Sequence, residues 1–271
     1  MKRKLGVISD CMKGESEINA LRKIKDYGFD CFFSSEKQFG VEYVAALKNE
    51  AEKVGIEYEF IHGPFAGIND MWTSKEEPKI FRDFMTAIDA AKESGVKSVV
   101  AHVSSSFKPP EINALGLSRF DAWVEHAEKS GVILAFENLR KLGNFAYLMD
   151  RYEDNPFVKY CYDSGHEHCY TVTAPFAKIY GDRLLCTHLH DNFGQDKTTE
   201  DGGDSHLLPF DGNIDFDEVM RNLAQSQYQG SLMLEVFSGI YPNMTTDEFM
   251  KTAYDRADKL LKLLEKYENK N

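Results

Sequence analysis

Histidines two residues apart on an extended strand point to the same face, because side chains alternate along a β-strand. The sequence carries such a pair in Cys186-Thr187-His188-Leu189-His190-Asp191-Asn192, and Asp204-Ser205-His206 follows in the next loop. Leu184, Leu185 and Leu189 would bury the segment while His188 and His190 aim at one place, where Asp204 and His206 can join them. Imidazoles and carboxylates gathered at one strand end are the donors of a divalent-cation site. Two histidines alone are as easily hydrogen-bonded core residues, so the case depends on how the other strands end.

Five further apolar runs end in the same kind of residue. These ends are His62 in His62-Gly63-Pro64-Phe65, His102 in Ala101-His102-Val103, and Glu137 in Ala135-Phe136-Glu137-Asn138-Leu139. Asp163 follows with His166 in Tyr162-Asp163-Ser164-Gly165-His166, and Glu235 in Leu234-Glu235-Val236. A lone histidine such as His62 or His102 is more often a core or capping residue, and Asp-x-x-His occurs by chance. Glu137 and Glu235 are harder to dismiss. A carboxylate behind several apolar residues is costly to bury without a cation or hydrogen-bond partners. Recurrence at corresponding points of a repeat implies a shared metal site.

What positions these residues is an alternation of strands and helices. Strands are expected over residues 5–9, 29–34, 56–62, 96–103, 132–138, 157–163, 184–191 and 231–237. Helices are expected over 15–27, 41–54, 75–94, 118–130, 144–152, 175–180, 216–227 and 246–267. Gly28, Gly55, Gly95 and Gly131 stand just past four of the helices, where a left-handed cap favours glycine. Near-continuous apolar strands are buried on both faces, and eight such βα units in one chain make a (β/α)8 TIM barrel, a single domain over 1–271. A doubly wound sheet is the runner-up, but no Gly-rich phosphate loop follows the first strand. In a barrel the active site lies at the carboxyl ends of the strands, where the residues above fall.

The 271 residues are 42% hydrophobic and 28% charged, an ordinary globular composition for one large barrel. A net charge of −12 argues against nonspecific attraction to nucleic acid or anionic membrane, so neither is expected as a partner. The loops after the second and fourth strands carry only Lys37, Lys108 and Arg119, where a DNA-binding rim would be basic. Five cysteines (Cys11, Cys31, Cys161, Cys169, Cys186) without CxxC spacing point to a reducing, cytoplasmic setting. After Met1-Lys2-Arg3-Lys4 the apolar run from Leu5 to Ile8 is too short for a signal peptide or a span. His126 is expected on a solvent-facing helix surface, His168 in an irregular loop, and Phe120 and Trp123 in helix-to-barrel packing.

The constellation resembles the xylose isomerase-like superfamily, which joins sugar isomerases and epimerases with endonuclease IV-type repair enzymes. The resemblance covers essentially the whole chain, with motifs in short pieces: His188-Leu-His-Asp-Asn, Asp204-Ser-His, and residues 209–216. In the isomerase branch one divalent ion is held by Glu, Asp, His and Glu from strands five to eight, which here implies Glu137, Asp163, His188 and Glu235. His188 is preferred because the family pattern is His-x-x-Asp or Glu, met by His188 and Asp191; a slip of two would put His190 in its place. The endonuclease branch uses a three-zinc cluster, for which His62, His102, His166, Asp204 and His206 supply matches. Ketose 3-epimerases carry an arginine six residues after the metal histidine; Gly194 stands there, which argues against that specificity.

The resemblance implies an isomerase or epimerase of a sugar, sugar phosphate or related polyol. It would move a proton beside a carbonyl, with Glu137 and Glu235 as the acid/base pair. His166 and His190 would bond substrate oxygens, and Phe65 or Trp72 would cover the sugar's apolar face. Oxygen and nitrogen ligands without thiolate admit Mn, Zn, Fe, Co or Mg, one ion or up to three. The alternative is a three-zinc phosphodiesterase acting on abasic DNA. A homo-oligomer is compatible with the sequence.

Overall fold

The computed structural model describes residues 3–269 apart from 173, 200 and 227. Its elements run β1 (Leu5–Ile8), α1 (Glu17–Asp26), β2 (Cys31–Ser34), α2 (Val41–Val54), β3 (Glu57–His62), α3 (Asp70–Thr73) and α4 (Lys79–Ser94). There follow β4 (Ser98–Ala101), α5 (Ala114–Ser130), β5 (Ile133–Glu137), α6 (Leu142–Arg151), β6 (Val158–Asp163), α7 (Ser164–Tyr170) and α8 (Phe176–Ile179). The chain closes with β7 (Leu184–His188), α9 (Phe216–Gln225), β8 (Leu232–Leu234) and α10 (Thr246–Glu268). The eight strands are parallel neighbours from β7 down to β1 and then β8, a nearly closed (β/α)8 barrel. The last gap is bridged by Leu189 and Leu234: Leu189 N donates to Met233 O (2.8 Å) and Glu235 N to Leu189 O (3.2 Å). That seam places His188, His190 and Glu235 around a single backbone crossing.

The expected helix ends hold where their chemistry was visible. Gly55, Gly95 and Gly131 cap α2, α4 and α5 with φ of 72°, 71° and 68°, and Gly28 follows α1 at 102°. Starts differ by a turn. Pro78 delays α4 to Lys79, since proline is tolerated only at a helix entrance, and the Asn113 side chain, accepting from Gly116 N, starts α5 at Ala114. Two short helices were not expected from periodicity, α3 and α7. His168 therefore lies on α7, bonded to Asn213 Oδ1 at 2.7 Å, and not in an irregular loop. His126 meets Asp89 at 2.7 Å on the helical layer. The basic start at Met1 and Lys2 and the expected helix end at Gln227 lie outside the described residues.

Two aromatic layers hold the barrel. Inside it Phe33 stacks between Phe60 (4.8 Å) and His188 (4.7 Å), while Phe32, next to it on β2, turns to the helical side and stacks on Tyr58 (4.6 Å). Outside it Trp123 of α5 stacks on Phe84 of α4 at 4.0 Å. Burying each such side chain is worth roughly 2–3 kcal/mol, and the inner stack fixes the plane of His188. All five cysteines are buried and free, small hydrophobes in effect. No helix among the described residues is long and apolar enough to cross a membrane.

Candidate metal centre and active site

The strand ends converge. Glu137 ends β5, Asp163 ends β6 and caps α7, His188 ends β7, and Glu235 follows β8. One ligand atom from each lies within 4.8 Å of those of the other three, and all four side chains are buried. His188 Nδ1 is the hub, 3.1 Å from Glu137 Oε1, 3.5 Å from Glu235 Oε2 and 3.9 Å from Asp163 Oδ2. His188 rather than His190 thus belongs to the four-residue group. His190 sits one step round, 3.2 Å from Asp163 Oδ2 and stacked on His206 at 4.0 Å. Gly165 makes the room: a Cβ there would lie 1.9 Å from the His190 ring.

Two further clusters lie beside the first, and one of them shares Glu137 with it. Glu137 Oε2 lies 3.0 Å from His102 Nε2 and 3.7 Å from His62 Nε2. Asp204 Oδ2 lies 2.9 Å from His166 Nε2 and 3.7 Å from His206 Nε2. Three of these histidines are oriented alike by backbone carbonyls. Nδ1–H donates to Gly63 O in His62 (2.9 Å), to Asn138 O in His166 (3.0 Å) and to Glu235 O in His206 (3.2 Å). Each turns its Nε2 toward a carboxylate, the position from which a neutral imidazole can bind a metal. His206 reaches its place with φ of 48°, a left-handed conformation costing on the order of 1 kcal/mol that its stacking and hydrogen bond hold.

The fit to a cation follows from what the protein leaves undone. Glu137, Asp163, Asp204 and Glu235 are buried, and among the described residues no lysine or arginine pairs with any of them. Glu137 Oε2, His190 Nδ1 and Asp204 Oδ1 are buried without a hydrogen-bond partner. Buried charge of this density is tolerated when a dication compensates it. With imidazoles alone as partners the two glutamates diverge. Burial pushes the Glu137 carboxyl up, but His188 and His102 outweigh it and hold it well below the ordinary range. Burial, reinforced by Glu137 and Asp163, pushes Glu235 well above it. Burial and the charge of His190 lower His206 to about 4, whereas Asp163 and Asp204 overcome burial and raise His166 strongly.

A cavity of about 370 Å³ opens over the cluster, lined among others by His62, His102, Glu137, His166, Phe65 and Phe237. Phe65 stacks on His102 at 4.3 Å, where it can cover an apolar substrate face. Trp72 does not join it. Its ring is 2% exposed beneath α5, with Nε1 donating to Val103 O at 2.8 Å and no room for a Cβ at Gly116. His190 likewise lies under the cavity floor and does not line it. Several residues escape a sequence reading. Asn138 takes Asp163 N on its Oδ1 (2.8 Å) and donates to Asp163 O (2.9 Å), and the Ser164 hydroxyl ties both ends of His190's backbone. Asp191 is a loop organiser, its oxygens accepting from Asn192, Phe210, Gly212 and Ile214 N–H groups. Only a polar residue beside a ligand hints at such roles.

Three basic residues at the barrel mouth are engaged, while Lys13 and Lys197 are exposed. Lys37 pairs with Asp10 and Lys141 with Glu111, and Arg119 donates to the carbonyls of Asp70, Met71, Ser74 and Glu76. Lys108 is exposed.

Residues 21–267 match the family model described as xylose isomerase-like TIM barrel. An uncharacterized protein of Sinorhizobium fredii is 36% identical over 162 residues, 55% of this chain and 50% of that protein, so the match spans about half that relative's length. An uncharacterized protein of Methanocaldococcus jannaschii is 25% identical over 256 residues, 86% of this chain and 83% of that one. Among solved structures, a D-tagatose 3-epimerase-like protein superposes with a TM-score of 0.72 at 22% identity, covering 98% of this chain and 99% of that one. A 3-keto-D-glucoside 4-epimerase from E. coli does so with a TM-score of 0.71 at 18% identity over 96% and 99%. These two likenesses speak to the fold.

Proposed function

The chain belongs to the xylose isomerase-like TIM barrel family, and on that premise we propose that it is a divalent-metal-dependent isomerase or epimerase of a sugar, sugar phosphate or related polyol. The observation that carries this is the four-ligand group of Glu137, Asp163, His188 and Glu235, buried at the floor of an open cavity. A divalent cation held by these four supplies Lewis-acid charge beside the substrate's carbonyl and hydroxyl oxygens. Glu137 and Glu235 reach the floor from β5 and β8, on either side of His188, and so flank the substrate. One carboxylate takes the proton from the carbon beside the carbonyl. The other returns a proton to the opposite face for epimerisation, or to the neighbouring carbon for isomerisation. Their opposite environments suit two different tasks. His166 bonds a substrate oxygen, and Phe65 covers the sugar's apolar face.

Solvent exchange tests this without knowledge of the substrate. In D2O, one member of a panel of ketopentoses, ketohexoses and their phosphates should gain deuterium beside its carbonyl, and a chelator should stop it. A metal-loaded protein that exchanges none of them is not such an isomerase.

The clusters at His62–His102–Glu137 and His166–Asp204–His206 favour one second reading, a three-ion phosphodiesterase for abasic DNA. The net charge of −12 and the engagement of Lys37, Lys141 and Arg119 weigh against it, because a phosphate backbone needs a continuous basic track and not one or two isolated cations. Three ions per chain with cleavage of an abasic duplex would establish it in place of the first.

A further inference from the structure

Arg140 is the one arginine or lysine lining the cavity among the described residues. Its guanidinium lies over the rings of Tyr170 and Phe107, with Cζ 4.6 and 5.2 Å from their centroids. One amino group donates to Asp201 O at 2.9 Å, and the Tyr170 hydroxyl donates to the same carbonyl at 3.0 Å. These contacts fix the plane of the fork, but none of them carries charge. Arg151 and Arg256 are matched with acids, Asp121 and Asp211; Arg119 and Arg183 donate to carbonyls only, but their guanidinium groups are spent on three or four of them and neither lines the cavity. The acids at the same rim do not quench it. Asp201 turns an oxygen to Gly203 N (3.0 Å), and Glu36 stands on the loop after β2, three strands round the barrel.

A second feature lies on the same wall. Ser104 is fully buried, lines the cavity, and its hydroxyl has no hydrogen-bond partner. The loop that presents it is pinned from both directions by Asn69, which takes Ser105 N on its Oδ1 and donates to Ser105 O, each at 2.9 Å. A guanidinium fork held in plane, lining the same cavity as an orphan hydroxyl in a held loop, matches an oxyanion of several acceptors better than it matches a neutral hydroxyl.

We propose that Arg140 and Ser104 bind a phosphate group at the end of the substrate remote from the cation site, so that the substrate is a phosphorylated ketose. The proposal rests on the isomerase or epimerase reading and narrows its substrate class.

The test compares matched pairs in the metal-loaded enzyme: fructose with fructose 6-phosphate, and xylulose with xylulose 5-phosphate, read as deuterium exchange beside the carbonyl. Wild type should prefer the phosphorylated member of its better pair by about 100-fold in kcat/KM, the worth of one or two charge-assisted hydrogen bonds. Arg140→Gln should bring that ratio down toward one, chiefly through KM, with ion content unchanged. Arg140→Lys should restore part of the ratio, and Ser104→Ala should lower it by about 5-fold. Equal use of the two members by wild type, or a ratio that survives Arg140→Gln, overturns the phosphate site while exchange itself upholds the isomerase. No exchange with either pair or the wider panel overturns both.

Discussion

Two arcs of the barrel mouth bury carboxylates at the same level and treat them in opposite ways. Under β1 and β2, Glu17 accepts from the Ser9 hydroxyl, Ser35 N (3.0 Å), the Ser35 hydroxyl (3.0 Å) and Tyr43 (3.2 Å), so both its oxygens are satisfied by neutral donors. Across the mouth, Glu137, Asp163, Asp204 and Glu235 face imidazoles and one another, and oxygens of Glu137 and Asp204 are left without a partner. Burial, reinforced by the neighbouring Asp10, raises Glu17 despite its hydrogen bonds from Ser9 and Ser35, whereas in the opposite arc Glu137 is driven down and Glu235 up. A carboxylate kept for structure is completed by the protein. One kept for a ligand is oriented and then left incomplete, because an unpartnered buried oxygen is expensive unless something else completes it.

Substituting one residue in each arc sharpens the contrast. Glu137→Gln should cut the exchange rate by about 1,000-fold or more, the scale of a lost acid or base, and should also deplete bound metal. Retention of near-normal exchange would remove Glu137 from the chemistry. Glu17→Gln should leave exchange within about 3-fold and act on stability instead. Because the folded pKa of Glu17 is raised above its ordinary 4.5, its protonated form stabilises the fold below that pH. That contribution fades as pH rises through the raised value. Denaturation of wild type and Glu17→Gln between pH 4 and 8 should therefore show the variant's deficit shrinking as pH rises; a constant gap would contradict this.

The smallest effect lies behind the mouth. Trp72→Phe should cost about 1 kcal/mol, one hydrogen bond to Val103, with kcat/KM unchanged. A changed KM would bring Trp72 back as a cavity residue.

Much of this arrangement is legible in the chain before any coordinates. Glycines past helices and apolar strands with polar ends report local conformation and burial, and a barrel turns the latter into a ring of ligands. Glu137, Asp163, His188 and Glu235 could be picked out because charged residues at the ends of buried strands have few structural reasons to be there. Trp72 could not be placed, since a tryptophan under a helix and one over a sugar have the same sequence surroundings. Nor could Asn138, Ser164 and Gly165, whose roles appear only once β5, β6 and β7 lie side by side. Asp191 matched the family pattern, yet it serves backbone N–H groups of residues 19 to 23 positions on, a contact that spacing does not foretell. Arg140 looks like any surface arginine until its place on the cavity wall, without an acid partner among the described residues, is seen in three dimensions.

Elemental analysis of the protein, purified after exposure to Mn, Zn or Co and freed of loose ions, tests the central claim most directly. Wild type and Glu17→Gln should each retain at least one divalent ion per chain, and Glu137→Gln should retain clearly fewer. Wild type holding only traces, or Glu137→Gln holding as much as wild type, would contradict the account.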